Sequence, residues 1–183
     1  MTSKQRDFDE EAAGWDDNPT RVRLAEDVVA AVLRQVRLAP DLHVLDFGCG
    51  TGLVALRLAP LVKCVTGADT SCAMLEVLAS KAAHQRLGNV HPRLIEPGAS
   101  VPGTYDVIVS SMTFHHVEHT EALLASLFQA LKPPGCLCVV DLDLEGGEFH
   151  QDNTGVFHFG FDRGALAGLF RDAGFTEVTA TTA

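Results

Sequence analysis

The sequence predicts an α/β fold: a doubly wound, mostly parallel sheet with helices on both faces, forming a single domain over 1–183. Three observations predict it. Short apolar stretches alternate with segments of helical periodicity, the order that gives parallel strands joined by crossover helices. An apolar run at 44–47 ends in glycines at alternate positions, Gly48, Gly50 and Gly52, before a helix-like segment at 53–59. A second apolar run closes on Asp69 about twenty residues past that loop, where doubly wound nucleoside binders place an acid.

The elements follow in order. Val22, Ala25, Val29, Val32 and Val36 make a one-faced helical stripe, and Ala39-Pro40-Asp41 ends it. Arg34 and Arg37 near its C-terminal end suit the helix dipole. The first strand and the glycine loop come next, then a second strand at 62–67. Met74, Leu75, Leu78 and Ala82 mark a helix that stops near Gly88-Asn89. Residues 91–95 form a third strand between Pro/Gly turns, and 107–110 a fourth. Leu123, Leu124, Leu127, Phe128 and Leu131 form the next helical stripe, and 137–142 the fifth strand. Asp162 caps a helix carrying Leu166, Leu169, Phe170 and Ala173, which Gly174 ends. Residues 175–181 alternate as a final strand. Ligands of such sheets bind beyond the C-terminal strand ends, a rim that collects Asp46, Asp69, Glu96, Ser110, Ser111 and Asp141.

Composition narrows the function. A hydrophobic content of 46% supports a core, and there is no run of eighteen apolar residues. The N-terminus lacks the apolar region of a secretory signal. A formal net charge of −10 disfavours nucleic acid and anionic membranes as partners. The five cysteines show no disulfide framework and no C-x-x-C, so reduced thiols in a cytoplasmic protein are expected.

Glycine needs no Cβ clearance, so the loop backbone can approach a ligand closely. A dinucleotide loop wants Gly or Ala two residues beyond Thr51, and Leu53 does not fit. Asp46 at the head of the loop would repel a pyrophosphate but attract an amino group. The pattern D-F-G-C-G-T-G at 46–52 resembles the first motif of class I S-adenosylmethionine-dependent methyltransferases. Residues 105–112 resemble that family's fourth strand, and Leu131-Lys132-Pro133-Pro134-Gly135 its turn into the fifth, with Pro134 where glycine is commoner. The likeness runs from about Val22 to Val178 and implies a Rossmann-like methyltransferase fold with S-adenosylmethionine as cofactor.

The resemblance carries cofactor-binding roles to Asp46, Gly48, Gly50 and Gly52, with Cys49 as a small spacer in the loop. Asp69, followed by Thr70, would accept from the ribose hydroxyls, and an N-cap role for Asp69 can hold at once. Glu96 is the candidate for the adenine amine. Ser110 and His116 are candidates beside the cofactor, His116 by packing or contact. Residues 1–20 would form an N-terminal lid, in which Trp15 is a hydrophobic anchor or, with Phe47 and Phe114, an aromatic face for the sulfonium.

Methyl transfer is an in-line displacement that asks for alignment more than for obligatory catalytic groups. The catalytic candidates are His115, His150 and Asp143 as proton acceptors, with a structural role equally open for His115. H-H-x-x-H at 115–119 raises a metal, but H-E-x-x-H is absent and no metal is expected. Residues 141–150 resemble a D-L-D-x-E-D-G-x-F-H signature within the family and would form a loop over the acceptor pocket. The chain is thus expected to methylate a small molecule, with a homodimer as the candidate assembly; the alternative is a non-catalytic cofactor-binding or interaction protein. The family usually adds an antiparallel seventh strand, and its absence here would leave instability, an unusual sheet edge or a dimer contact.

Overall fold

The computed structural model describes residues 7–183. Residues 1–6, including that part of the expected lid and of the N-terminal signal reading, lie outside the described residues.

The first described element is a single helical turn, α1 (Phe8–Glu11), continued by a 3₁₀ segment to Asp17. Helix α2 (Pro19–Gln35) starts where Asn18 accepts from the Thr20 amide and Pro19 takes the first helical position, where its missing N–H costs nothing. Its stripe buries Ala25, Val28, Val29 and Val32.

Five strands follow: β1 (His43–Phe47), β2 (Cys64–Asp69), β3 (Val90–Leu94), β4 (Tyr105–Ser111) and β5 (Leu131–Val140). They pair in parallel in the order β3-β2-β1-β4-β5. The connections carry α3 (Ala55–Leu58), α4 (Cys72–His84) and α5 (Thr120–Gln129), and α6 (Arg163–Asp172) follows β5. The chain reverses from β1 to the β2 side and from β4 to the β5 side, so the switch point lies between β1 and β4.

Alternation along β1 divides the interior into two cores. Val44 joins α2, α3 and α4 on one face, packing with Val28, Val32, Leu58, Val65 and Leu78. Leu45 and Phe47 turn to the other, where Ile108, Leu124 and Leu127 meet Leu169 and Phe170 of α6. Each fully buried aliphatic side chain contributes about 1.5–3 kcal/mol of transfer free energy. Burial on both faces explains why Val44-Leu45 in β1 and Val107-Ile108-Val109 in β4 read as continuous apolar stretches.

Two expectations need correction. The helix after the glycine loop is one turn, α3, continued by a 3₁₀ segment to Leu61, so it offers little dipole. Residues 175–181 form no strand. Phe175 and Val178 are the partly buried side chains there, three residues apart rather than two, and Glu177 between them takes a left-handed φ of 53°. Phe175 instead packs edge-on against Phe128, with centroids 5.0 Å apart. Among the described residues neither a sixth nor a seventh strand is present, and the outer edge of β5 pairs with no strand. A cavity of about 440 Å³ lies along that edge, between α2, β5, α6 and residues 178–183.

Candidate active site

The C-terminal ends of β1, β2, β4 and β5 converge on one rim, and the glycine loop hangs from the first of them. Its amides at Gly48 and Cys49 donate to the Ala68 carbonyl, at 2.8 and 3.1 Å, which pins the loop to the end of β2. Gly48, Gly50 and Gly52 all have positive φ, at 73°, 51° and 82°. Their surroundings differ. A Cβ on Gly48 would meet Thr113 Oγ1 at 2.2 Å, and one on Gly52 would meet Leu78 Cδ1 at 2.2 Å. One on Gly50 would find nothing nearer than Met74 Sδ at 3.9 Å. The outer glycines therefore serve close packing, whereas Gly50 holds open the space beside the loop.

Asp46 is 1% exposed, and its Oδ2 has no hydrogen-bond partner. Burial pushes its carboxyl up to about 7, the Ala55 amide offsets this in part, and the charge on Asp69 adds to it. A buried carboxylate oxygen without a partner is costly unless a ligand supplies a donor. Asp69 accepts from the Gly50 amide at 2.7 Å and the Ser71 amide at 3.0 Å. Burial raises its carboxyl above the usual aspartate range despite those amides. Each Asp69 oxygen has capacity for a further donor. Thr70 is exposed beside it.

The N-terminal residues expected to form a lid are held at two points. Asp9 accepts from Ser71 Oγ and from the Ala73 amide at 3.1 Å, placing it on the first turn of α4. Asp16 accepts from Thr51 Oγ1 at 2.6 Å and from Lys81 Nζ at 2.5 Å, and Lys81 also donates to the Thr51 carbonyl at 2.9 Å. Both contacts clasp the N-terminal segment over the glycine loop. Trp15 gives its ring face to the Arg21 guanidinium, 3.7 Å from the centroid, and Phe47 and Phe114 are buried in the apolar core.

The remaining cofactor candidates spread along the rim. Ser110 is fully buried and donates to the Phe47 carbonyl at 3.0 Å, tying β4 to β1. Cys49 is buried, and burial together with the Asp46 and Asp69 charges pushes its thiol well up, which suits a spacer and not a nucleophile. Glu96 is exposed beyond β3.

A histidine cluster sits opposite the loop. Phe114, His115 and His116 form a 3₁₀ turn just after β4. Asp141, the residue after β5, reaches this turn: Oδ1 meets His115 Nδ1 at 2.7 Å, and Oδ2 accepts from the Phe114 amide at 2.9 Å. The two side chains are 1% and 3% exposed. His150 brings its Nε2 to 3.1 Å from His115 Nε2. His116 Nδ1 lies 2.7 Å from the Gly155 carbonyl, and its ring meets Phe8 edge-on at 5.2 Å. The Phe157 amide donates to the His115 carbonyl at 2.9 Å, so the β5–α6 loop is laced over the histidine turn.

Sequence reasoning gathered His115, His116 and His150 as separate candidates but missed Asp141 as the partner of His115. The signal available was topological: β5 neighbours β4, so the residues just past each end must meet. Asp143 is not brought into this cluster. Arg163 grips it with two bonds of 2.6 Å, which holds its carboxyl below the usual range. His119 is exposed at the start of α5.

Residues 20–180 match the family described as "Methyltransferase domain". The chain belongs to that methyltransferase family. It is 30% identical over 156 residues to an uncharacterised methyltransferase of Schizosaccharomyces pombe, covering 74% of this chain and 54% of the relative. A ubiquinone biosynthesis O-methyltransferase of Mesorhizobium japonicum is 32% identical over 134 residues, covering 69% and 53%. The chain thus spans about half the length of the curated relatives it matches. In fold it is similar to an S-adenosylmethionine-dependent methyltransferase of Aquifex aeolicus, with a TM-score of 0.73, 22% identity and coverage of 91% and 87%.

S-adenosylmethionine is the cofactor of this methyltransferase fold, and the site fits it. The unpartnered Asp46 oxygen answers an amino group, Gly50 leaves room for the ligand, and Asp69 retains acceptor capacity for hydroxyls. Among the described residues no helix is long and apolar enough to cross a membrane.

Proposed function

We propose that this chain is a methyltransferase acting in the cytoplasm on a small molecule by in-line methyl transfer. The observation that carries the reading is the orphaned Oδ2 of buried Asp46 at the head of a loop whose central glycine faces open space. Asp46, through its unpartnered oxygen, and the loop of Gly48, Cys49, Gly50 and Gly52, through close approach of its backbone, would hold the amino-acid end of the cofactor. Asp69 and Thr70 would hold the ribose, Glu96 the adenine, and Ser110 and His116 the wall beside it. When bound, S-adenosylmethionine supplies a sulfonium methyl group.

The chain's own residues have two tasks at the acceptor. The Asp9 and Asp16 contacts keep the lid down and exclude water. His115 and His150 handle the acceptor's proton. A carboxylate only accepts, so His115 Nδ1 donates to Asp141 and its Nε2 carries the lone pair. His150 can therefore take a proton from the acceptor at one nitrogen while its Nε2–H donates to His115. Asp143, bound by Arg163, is the weaker candidate for that part.

A hydroxyl is the first acceptor to try, because several similar proteins are named as O-methyltransferases. Leu144, Phe149, Phe157 and Phe159, all exposed on the loop after β5, favour an acceptor with an apolar body. The test is calorimetry with S-adenosylhomocysteine and with NAD, followed by turnover against a panel of phenols, catechols and other small nucleophiles. Binding of S-adenosylhomocysteine and methylation of a panel member support the proposal; binding of NAD alone overturns it.

A further inference from the structure

We propose that His115, His116 and His150 form a binding site for one divalent ion of the zinc class, with Asp141 and the Gly155 carbonyl orienting two of the three imidazoles. One ring nitrogen from each histidine lies within 4.8 Å of the other two. His115 Nε2 and His150 Nε2 are already 3.1 Å apart. Tetrahedral zinc at about 2.0–2.1 Å from each nitrogen places its ligands roughly 3.3 Å apart. Separations of up to 4.8 Å must contract by about 1.5 Å at most to reach that spacing.

Tautomer control makes the case stronger than proximity. Asp141 and the Gly155 carbonyl are acceptors, so the Nδ1 atoms of His115 and His116 are both donors. In the neutral rings this leaves the lone pair of each on Nε2, the form a metal requires. A carboxylate behind one ligand and a carbonyl behind another is the outer arrangement that fixes metal-binding histidines. Asp141 is itself held by the Phe114 and Leu142 amides, at 2.9 and 2.8 Å, so the orientation of His115 is set from β5. The third ligand arrives on a different loop, 34 residues beyond His116, which is why the H-H-x-x-H spacing did not point to it.

Three imidazoles leave a coordination position for an exogenous ligand. The use of the ion, though not its binding, rests on reading this pocket as the acceptor's end. An acceptor hydroxyl or thiol bound there would lose its proton to water, and His115 and His150 would then act as ligands in place of the proton relay.

The experiment titrates metal-depleted protein with Co²⁺, read by visible absorption, and with Zn²⁺ against a chromogenic chelator. S-adenosylhomocysteine binding is measured in parallel on every variant. One ion per chain is expected, with the d–d bands of nitrogen-ligated tetrahedral cobalt. His116→Ala and His150→Ala should abolish saturable binding, Asp141→Asn should weaken it about 10–100-fold, and His119→Ala should leave it intact. Absence of saturable binding, or equal binding by the His150→Ala variant, overturns the inference. S-adenosylhomocysteine binding that survives in His150→Ala and Asp141→Asn shows that they fold and leaves the cofactor reading standing. Thermal melting shows that His116→Ala folds whether or not it binds that ligand. Metal binding by the parent protein without S-adenosylhomocysteine binding would sink the cofactor reading alone.

Discussion

Replacing Asp46 by Asn should stabilise the cofactor-free protein in a pH-dependent way and weaken cofactor binding. Asp46 ordinarily titrates at 3.8, and burial raises it to about 7 in the folded protein. For an acid raised on folding, the native state favours the protonated form. No penalty exists below the unfolded value; it grows as pH rises from about 4 to 7 and then levels off. A shift of about three units corresponds to about 4 kcal/mol on the plateau, and at pH 5 the penalty is only about 2 kcal/mol. Asn keeps the carbonyl that can accept from Ala55, but its amide N–H group lacks an acceptor, at about 1–3 kcal/mol independent of pH. Comparing two pH values cancels that constant.

The expected outcome is that Asp46→Asn gains roughly 2 kcal/mol on the parent between pH 5 and pH 8, in urea unfolding without ligand. At pH 8 the variant should bind S-adenosylhomocysteine about 10–100-fold more weakly, the value of one hydrogen bond to a charged group. Parallel stability profiles would show that Asp46 is not the buried titrating acid described above. Unchanged ligand affinity would show that its unpartnered oxygen does not face the cofactor's amino end.

Other perturbations test the rest of the site. Gly50→Val should lower S-adenosylhomocysteine affinity by far more than its stability cost, because a β-branched residue is strained at a φ of 51° and fills the open space; calorimetry and thermal melting separate the two. Asp16→Ala should release the lid from Thr51 and Lys81, seen as faster proteolysis within residues 8–17 and a raised KM for the cofactor. Asp141→Asn should cut kcat by about 10²–10⁴ once an acceptor is known, with S-adenosylhomocysteine affinity unchanged. With an iodoacetamide label, exposed Cys72 should react while Cys49 stays unmodified, since burial keeps its thiol protonated.

The parts legible in the sequence were those governed by local chemistry. The stripe in α2, the cap at Asp162 and the glycine loop declare themselves within a few residues, whereas the cap expected of Asp69 falls two residues later on Ser71, which accepts from the Met74 amide. The parts that were not legible depend on long-range pairing. The alternation at 175–181 looked like a strand, but pairing needs a neighbour and apolar side chains on one face, and Glu177 and the spacing of Phe175 and Val178 deny both. The clasp of Asp16 on Lys81 joins residues 65 apart, with no local trace. Asp143 looked as eligible as Asp141 from composition; a difference of two residues past β5 decides which acid meets His115 and which meets Arg163.

That last contrast explains how one rim can bear several aspartates without making them equivalent. Each is delivered by a strand end, and its environment sets its task. Asp46 keeps an oxygen without a partner and a raised carboxyl, so it can respond to an arriving cation by losing a proton. Asp69 spends two oxygens on backbone amides that fix its direction, so it is a rigid acceptor. Asp141 takes two amides and an imidazole N–H, which leaves it to govern a histidine and not to meet a ligand. If these differences in hydrogen bonding set the roles, exchanging charge for amide should damage different measurements: ligand affinity at Asp46 and Asp69, turnover and metal affinity at Asp141. A common loss of affinity in all three variants would mean that the rim works only as a diffuse acidic surface.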